Sequence, residues 1–539
     1  MLQGYTPWPD ELATKYRSNG CWTGETFGEV LERMATLTPT SIALIEGNRK
    51  VTYEELDERA NRLAYGFIHL GIKKQDRVVL QLSNSITFFE ICFALFRIGA
   101  LPIFSLPLHR QTEITYFCEH TKAVAYVIPD VFDRHDYVKM AREVKEKVHT
   151  LQHIIVAGDE QEFLNVEALM SEGSSVTLPT ITGSDLAFFQ LSGGSTGLPK
   201  LIPRTHDEYL YSIRKSVEIC ELSERTKYLA VLPVAHNFTM SSPGVFGVLY
   251  AGGCIVLSPD PSPDTAFPLI EKEKINFTSL VPPLAIIWIE ASKTRDYDLT
   301  SLEVIQVGGA KCSAEVAKKV GPSFGCTLQQ VFGMAEGLVN YTRLNDAEEK
   351  IVYTQGRPMS EFDEIRIVDE EDQSIAVGDT GHLQVRGPYT IIAYYNAETH
   401  NEKAFTHDGF YRTGDIVKQT EDGYLIVEGR DKDQINRGGE KIAAEEVENY
   451  LLSHEEVLDA AIVSMPDAFL GERSCAFIIS QKEQLTGQAL KSFLQLKGIA
   501  AFKIPDRFEF VHEFPQTPLG KVSKKSLREI IQEKLATKI

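Results

Sequence analysis

Apolar residues recur along this chain in two rhythms. Leu56, Ala60, Leu63, Ala64, Phe67 and Ile68 fall at helical spacing behind the capping-box sequence Thr52-Tyr53-Glu54-Glu55. They predict a helix that stops at Gly71. Val78 to Leu82 then reads as a strand, Phe88 to Ile98 as a second helix ended by Gly99, and Leu101 to Leu106 as another strand. Strand–helix–strand repetition implies an α/β fold with a parallel sheet covered by helices. The rhythm returns at Tyr228 to Leu232, Cys254 to Leu257 and Val304 to Val307. From about Glu364 the runs shorten, as at Glu364 to Val368 and His382 to Val385, and predict a β-rich subdomain over about 360–430. Beyond the polar segment Gly429-Arg430-Asp431-Lys432-Asp433 the pattern changes again. A helix at Ala444 to Leu452 and strands at Ala460 to Val463 and Ala476 to Ile479 predict a compact α+β unit. The expected division is a core of residues 1–431 and a C-terminal domain of residues 432–539.

Composition narrows the function classes. With 539 residues, 43% of them hydrophobic, the chain has ample material for a large core. A net charge of -20 lacks the electrostatic footprint of a nucleic-acid binder, so no nucleic-acid partner is expected. An acidic chain that handles anions must gather its cations locally. None of the eight cysteines forms a C-x-x-C pair, and most stand among apolar or small residues. Buried free thiols in a reducing compartment are expected. No basic-then-apolar leader and no apolar run of about 18 residues is present. The expectation is a cytoplasmic protein without membrane partners.

The candidate chemistry begins at Leu191-Ser192-Gly193-Gly194-Ser195-Thr196-Gly197-Leu198-Pro199-Lys200. Three glycines, three hydroxyls and a lysine can turn sharply and point N–H and O–H groups at a polyphosphate. It is not a Walker A loop, because Leu198 and Pro199 stand between Gly197 and Lys200. Four further segments accompany it: Gln330 to Gly337, Tyr411-Arg412-Thr413-Gly414-Asp415, Gly429 to Lys441 running into Glu445-Glu446-Val447-Glu448, and Pro515 to Lys521. Any one of them could be a turn or a solvated face; their joint occurrence in this order is specific.

Together these motifs resemble the adenylate-forming superfamily of acyl-CoA synthetases, firefly luciferase and peptide-synthetase adenylation domains, over nearly the whole chain. Ala235-His236-Asn237-Phe238 to Gly244 and Phe332 to Tyr341 resemble the stand-alone aryl-acid adenylating enzymes of siderophore pathways, nearest to 2,3-dihydroxybenzoate–AMP ligases. The resemblance implies two flavodoxin-like sheets and a small β-barrel, followed by a mobile C-terminal domain. It implies ATP and Mg²⁺ as cofactors. It also implies activation of 2,3-dihydroxybenzoate and transfer to the phosphopantetheine arm of an aryl carrier protein.

The resemblance assigns roles residue by residue. Lys521 matches the lysine that serves adenylate formation, Glu336 the Mg²⁺ carboxylate and His236 a gate toward the second substrate. Asp415 matches the ribose ligand, and Arg430 a ribose and phosphate contact. Gly309 and Val331 match the adenine slot, and Gly333 is a further ATP-binding position. Ser192, Gly193, Gly194, Ser195, Thr196 and Gly197 grip the β- and γ-phosphates, with Lys200 secondary. Lys432 matches the hinge, and Gly439 and Lys441 line the pantetheine route. Asn237, Phe238, Ser242, Gly308 and Val339 match the acid pocket. Ala335 stands where many relatives carry Thr or Ser, a trait the aryl-acid subgroup shares. Asn237 stands where amino-acid-activating relatives carry aspartate; a neutral amide suits a substrate without an ammonium group. Salicylate-specific adenylation, aryl-CoA ligation and an inactive nucleotide-binding scaffold remain as alternatives.

Overall fold

The computed structural model describes residues 2–172, 176–192, 199–433, 435–437, 440–467, 470–482, 484–497, 499, 501–517 and 521–536. The helix predicted behind Thr52 runs Tyr53–His69. Its capping box is made on both sides: Thr52 Oγ1 accepts from Glu55 N at 3.2 Å, and the Glu55 carboxylate accepts from Thr52 N at 2.8 Å. The next helix, Ile86–Ile98, ends at Gly99 in the left-handed region with φ 66°. It is buried almost all round, which places it inside a layered core and not at the surface.

Two large sheets form the core. One has nine strands, ordered Arg357–Pro358, Val339–Tyr341, Thr327–Gly333, Val304–Gly308, Phe277–Leu280, Lys227–Ala230, Cys254–Leu257, Ile42–Glu46 and Arg49–Thr52. Its interior pairs are parallel and its edges antiparallel. The other has seven strands centred on Leu101–Phe104, Arg77–Leu80 and Ala125–Pro129. A single apolar cluster holds Leu80 and Val127 of the second sheet together with Tyr228, Ile255 and Val307 of the first. The predicted parallel α/β architecture is therefore present twice, with the intervening helices shared.

The β-rich region is a four-stranded antiparallel sheet of Glu364–Val368, Thr380–Arg386, Tyr411–Gln419 and Leu425–Arg430. These strands pair in chain order. Among the described residues the outer two do not pair with each other, so the sheet stays open where a closed barrel was expected. From Ile435 onward the chain builds its own cores on the two faces of one sheet. Ile462, Ala476 and Ile478 point to one cluster, and Ala461, Val463 and Phe477 to the other. This is the period-two alternation of strands covered on both sides.

All eight cysteines are free thiols; seven are buried and Cys326 is half-buried. Among the described residues no helix is long and apolar enough to cross a membrane.

Candidate active site

The ends of the parallel strands meet the C-terminal segment at one place. Val304–Gly308 runs parallel to Thr327–Gly333, with Gly308 opposite Val331. Gly309 follows at φ +82°, where a side chain would be strained. A Cβ there would stand 3.2 Å from Lys521 Cε and 3.7 Å from its Nζ. Lys521, distant in sequence, thus lies along the bare backbone of Gly309. It is tied to Thr517, whose N donates to Lys521 O at 2.7 Å and whose Oγ1 accepts from Lys521 N at 3.3 Å.

The surroundings of Lys521 are charged on purpose-built supports. Asp415 and Arg430 are paired across adjacent antiparallel strands, and Arg430 Nε donates to Asp415 Oδ1 at 2.8 Å. Asp415 is buried. Burial and the Arg430 guanidinium pull the Lys521 ammonium down to about 8, against the opposing influence of Asp415 and Glu336. Glu336 is itself buried, and its Oε1 accepts from Tyr394 Oη at 2.7 Å. Tyr394 Oη also meets Tyr411 Oη at 2.9 Å, and Lys200 Nζ lies 5.9 Å from the Tyr394 ring centroid. Lys200, Tyr394, Glu336 and Tyr411 therefore form one network beside the Asp415–Arg430 pair.

The neck of the glycine loop is closed by backbone and side chain. Ser192 N donates to Lys200 O at 2.9 Å, and Ser192 Oγ accepts from Lys200 N at 2.9 Å. The Ser192 hydroxyl thus braces the neck as an acceptor and keeps its own proton to donate. Gly193, Gly194, Ser195, Thr196, Gly197 and Gly439 lie outside the described residues, as do the side chains of Lys432 and Lys441.

A pocket wall forms next to Gly309. Phe238 is buried, and a Cβ on Gly308 would come within 2.9 Å of its Cζ. Only glycine leaves room for that ring. Val339 is buried opposite Gly333, where a Cβ would meet Val339 Cγ2 at 3.2 Å. Asn237 opens one short helix, Asn237–Ser241, and Ser242 follows it. Ser242 reaches the phenol of Tyr341, which also meets Ser216 Oγ at 2.7 Å. His236 caps this helix, its Nδ1 accepting from Phe238 N at 3.2 Å. Burial and the nearby Lys521 charge push the His236 imidazole down to about 3, so it is neutral at physiological pH.

Several residues of this centre carry no motif of their own. Tyr394 supports Glu336 from a stretch with no recognisable signal. Tyr209 Oη donates to Asn237 Oδ1 at 2.8 Å from the helix His206–Ile219. Arg204 is buried and donates to the carbonyls of Ala335 at 3.2 Å and Tyr389 at 2.9 Å, tying the Glu336 turn to the core. Glu445, on the helix Ala444–Leu452, is half-buried near Lys311 and Lys524. Burial lifts its carboxyl to about 7 despite those two cations. Its doublet Glu445-Glu446 reads from sequence as an ordinary helix N-terminus; only the fold brings Lys311 to it.

Residues 31–395 match the model of the AMP-binding enzyme family, and residues 446–521 that of the AMP-binding enzyme C-terminal domain. The chain is 63% identical over 535 residues to the 2,3-dihydroxybenzoate-AMP ligase of Bacillus subtilis (strain 168), covering 99% of each chain. It is 50% identical to the vibriobactin-specific 2,3-dihydroxybenzoate-AMP ligase of Vibrio cholerae, covering 98% of each. Among solved structures, apo MbtA of Mycobacterium smegmatis superposes with a TM-score of 0.76 at 42% identity, covering 98% of each chain.

Proposed function

The chain belongs to the AMP-binding enzyme family, and we propose that it joins 2,3-dihydroxybenzoate to AMP and then passes the acyl group to a carrier-protein thiol. The observation that carries this reading is the delivery of Lys521 against Gly309, beside Asp415, Arg430 and Glu336. The relatives named for 2,3-dihydroxybenzoate support the choice of acid.

In the first half-reaction an acid oxygen attacks the α-phosphorus of ATP. The new bond is C(O)–O–P, the broken bond is Pα–O–Pβ, and pyrophosphate leaves with the electron pair. Both reactants are anions, so the protein must lower their repulsion and align them. Lys521 places its ammonium where the incoming carboxylate and the α-phosphate oxygens converge. Asp415 offers two acceptor oxygens to the two ribose hydroxyls, and Arg430 holds that carboxylate in place. Gly309 and Val331 leave a flat slot for adenine, with Gly333 a further ATP contact. Ser192 to Thr196 and Gly197 enclose the leaving phosphates, with Lys200 at the rim.

The Glu336 turn suits a magnesium ion. One carboxylate oxygen is taken by Tyr394, and the described residues offer no group of three or more His, Cys, Asp or Glu that could cage a metal. A single carboxylate matches an ion that keeps waters and phosphate oxygens as its other ligands. Bound there, it supplies neutralising charge to the phosphates.

In the second half-reaction the thiol sulfur attacks the acyl carbon, its proton goes to solvent, and AMP leaves as the acyl C–O bond breaks. We place the moving unit at residues 432–539, turning about Lys432, with Gly439 and Lys441 beside the pantetheine arm and His236 at its entrance. Lys521 can depart at that point, because the charge it balanced has left with pyrophosphate.

The test of the acid is ATP–pyrophosphate exchange with 2,3-dihydroxybenzoate, salicylate, benzoate and an amino acid in parallel. Salicylate lacks only the 3-hydroxyl, the group this reading pairs with Ser242. The dihydroxy acid should lead it by about 1–3 kcal/mol, roughly 5–150-fold in kcat/KM. Equal rates with benzoate would refute the assignment. Free CoA against a phosphopantetheinylated carrier domain decides the acceptor.

The pH profile of the exchange reaction tests Lys521 separately. The lysine acts as a cation, so kcat/KM should be flat below about 8 and fall as pH rises through that value. Lys521→Arg should carry the falling limb beyond about pH 10, because a guanidinium stays charged there. An unmoved limb would assign the titration to another group.

A further inference from the structure

Resting on the aryl-acid reading above, we infer that Tyr209 is a positioning residue that sets the polarity of the acid pocket, making Asn237 a hydrogen-bond donor toward substrate and selecting ortho-hydroxy over ortho-amino acids. An asparagine amide carries a donor at one end and an acceptor at the other, and either end can face a ligand. Here the choice is made by the protein. Tyr209 Oη lies 2.8 Å from Asn237 Oδ1. The phenol donates this bond, with Gln190 beside it, while Ser241 Oγ gives its own proton to the Asn237 backbone carbonyl at 3.3 Å. A proton donor must meet the carbonyl end of the amide, which turns Nδ2 the other way. Asn237 Nδ2 makes no hydrogen bond among the described residues, and it is not among the fully enclosed polar atoms. It therefore keeps contact with accessible space.

Tyr209 is held too firmly to yield. It is fully buried, its ring meets Phe188 edge-on with centroids 4.7 Å apart, and the Arg204 guanidinium lies 5.0 Å from its centroid. It arises from the helix behind the pocket, His206–Ile219, and not from the helix that carries Asn237. The polarity of the site is thus set from outside the segment that forms it.

The consequence is a selection by proton direction. An ortho-hydroxyl can give its proton to its own carboxylate and still accept from Nδ2 through the oxygen lone pairs. An ortho-amino group carries two N–H donors and a lone pair delocalised into the ring, so it confronts Nδ2 donor to donor. Buried donors without acceptors are strongly disfavoured.

The experiment measures kcat and KM in pyrophosphate exchange for 2-hydroxybenzoate, 2-aminobenzoate and benzoate, using the full chain and its Tyr209→Phe variant. The unaltered chain should favour the hydroxy acid over the amino acid by at least about tenfold in kcat/KM. In Tyr209→Phe the amide is free to turn. KM for 2-hydroxybenzoate should rise about tenfold, kcat should hold, and the amino acid should lose little, so the preference collapses. Equal losses for all three acids would show a merely structural role and overturn the inference, as would an unchanged ratio. Asn237→Asp gives an independent reading, since it keeps the acceptor for Tyr209 and turns the other end into an acceptor. Repulsion of the substrate carboxylate then applies to both acids alike, and their ratio should shift toward 2-aminobenzoate. A ratio that does not shift overturns the inference. If the unaltered chain exchanges with none of these acids or with 2,3-dihydroxybenzoate, the aryl-acid reading falls and takes this inference with it. Exchange with an unaltered ratio sinks the inference alone.

Discussion

Lys521→Ala should lower ATP–pyrophosphate exchange by roughly 10²–10³-fold and leave thiol transfer from a supplied acyl-adenylate near its original rate. The magnitude follows from removing one fixed charge at a centre where negative charge gathers. Lys521 stands over a glycine whose missing Cβ is needed for the approach. Its charge is tempered by burial and Arg430, so it sits close to its own titration and yields readily when the anions it faces are gone. The selectivity for one half-reaction follows from the chemistry. Only the first half brings a carboxylate up to a triphosphate; the second expels AMP after pyrophosphate has left. Quench-flow measurement of the two steps, with and without added acyl-adenylate, separates them. Equal loss in both would show that Lys521 acts in transfer as well, and the division of labour would have to be abandoned.

Asn237→Asp should reduce kcat/KM for every aryl acid by roughly 100-fold, because a like charge beside the substrate carboxylate costs about 3 kcal/mol. The fold keeps the substituted residue in place. Tyr209 Oη still finds an oxygen, and the short helix behind His236 does not depend on the amide. The loss therefore reads substrate repulsion and not collapse of the pocket, which an unchanged melting temperature and an unchanged KM for ATP would verify. The loss should shrink as pH falls toward the range where the new carboxyl takes up a proton, since the repulsion needs both groups ionised. Retained activity at neutral pH would remove Asn237 from the pocket.

Much of this centre was legible in the chain because its residues come in short runs whose local geometry is set by neighbours. Gly308-Gly309 can only end a strand with bare backbone, and both glycines do so against a side chain. Thr413-Gly414-Asp415 reads as a turn but lies within the strand Tyr411–Gln419, at a break in its register with Thr380–Arg386, and Arg430 lies opposite Asp415. Helix caps such as Thr52 and Gly99 were equally readable, since a cap depends on hydrogen bonds within a few residues. The closure of the β-rich region was not readable in this way. Whether Glu364–Val368 pairs with Leu425–Arg430 depends on twist accumulated over the whole sheet, and no single residue encodes that.

The residues that escaped notice share a physical cause. Tyr209, Tyr394, Arg204 and Glu445 act through a partner on another element, and their own sequence neighbourhoods look like ordinary helix or loop. A tyrosine at helical spacing is indistinguishable from core packing until its hydroxyl is seen to meet Asn237. Ser192 adds a contact its motif did not announce: its hydroxyl accepts from Lys200 N and braces the loop neck.

The sequence by itself determined the two parallel α/β rhythms, the later change to short strands, the separate character of the C-terminal region, and the set of residue types that handle a nucleotide and an acid. Those follow from periodicity, capping and backbone permissiveness, which act over a few residues. Only the tertiary structure decided that Lys521 lies on Gly309, that Glu336 leans on Tyr394, and that Asn237 presents its donor. Each of these rests on a contact across the fold, where burial and a neighbouring charge or proton, and not the local chain, set the state of the group.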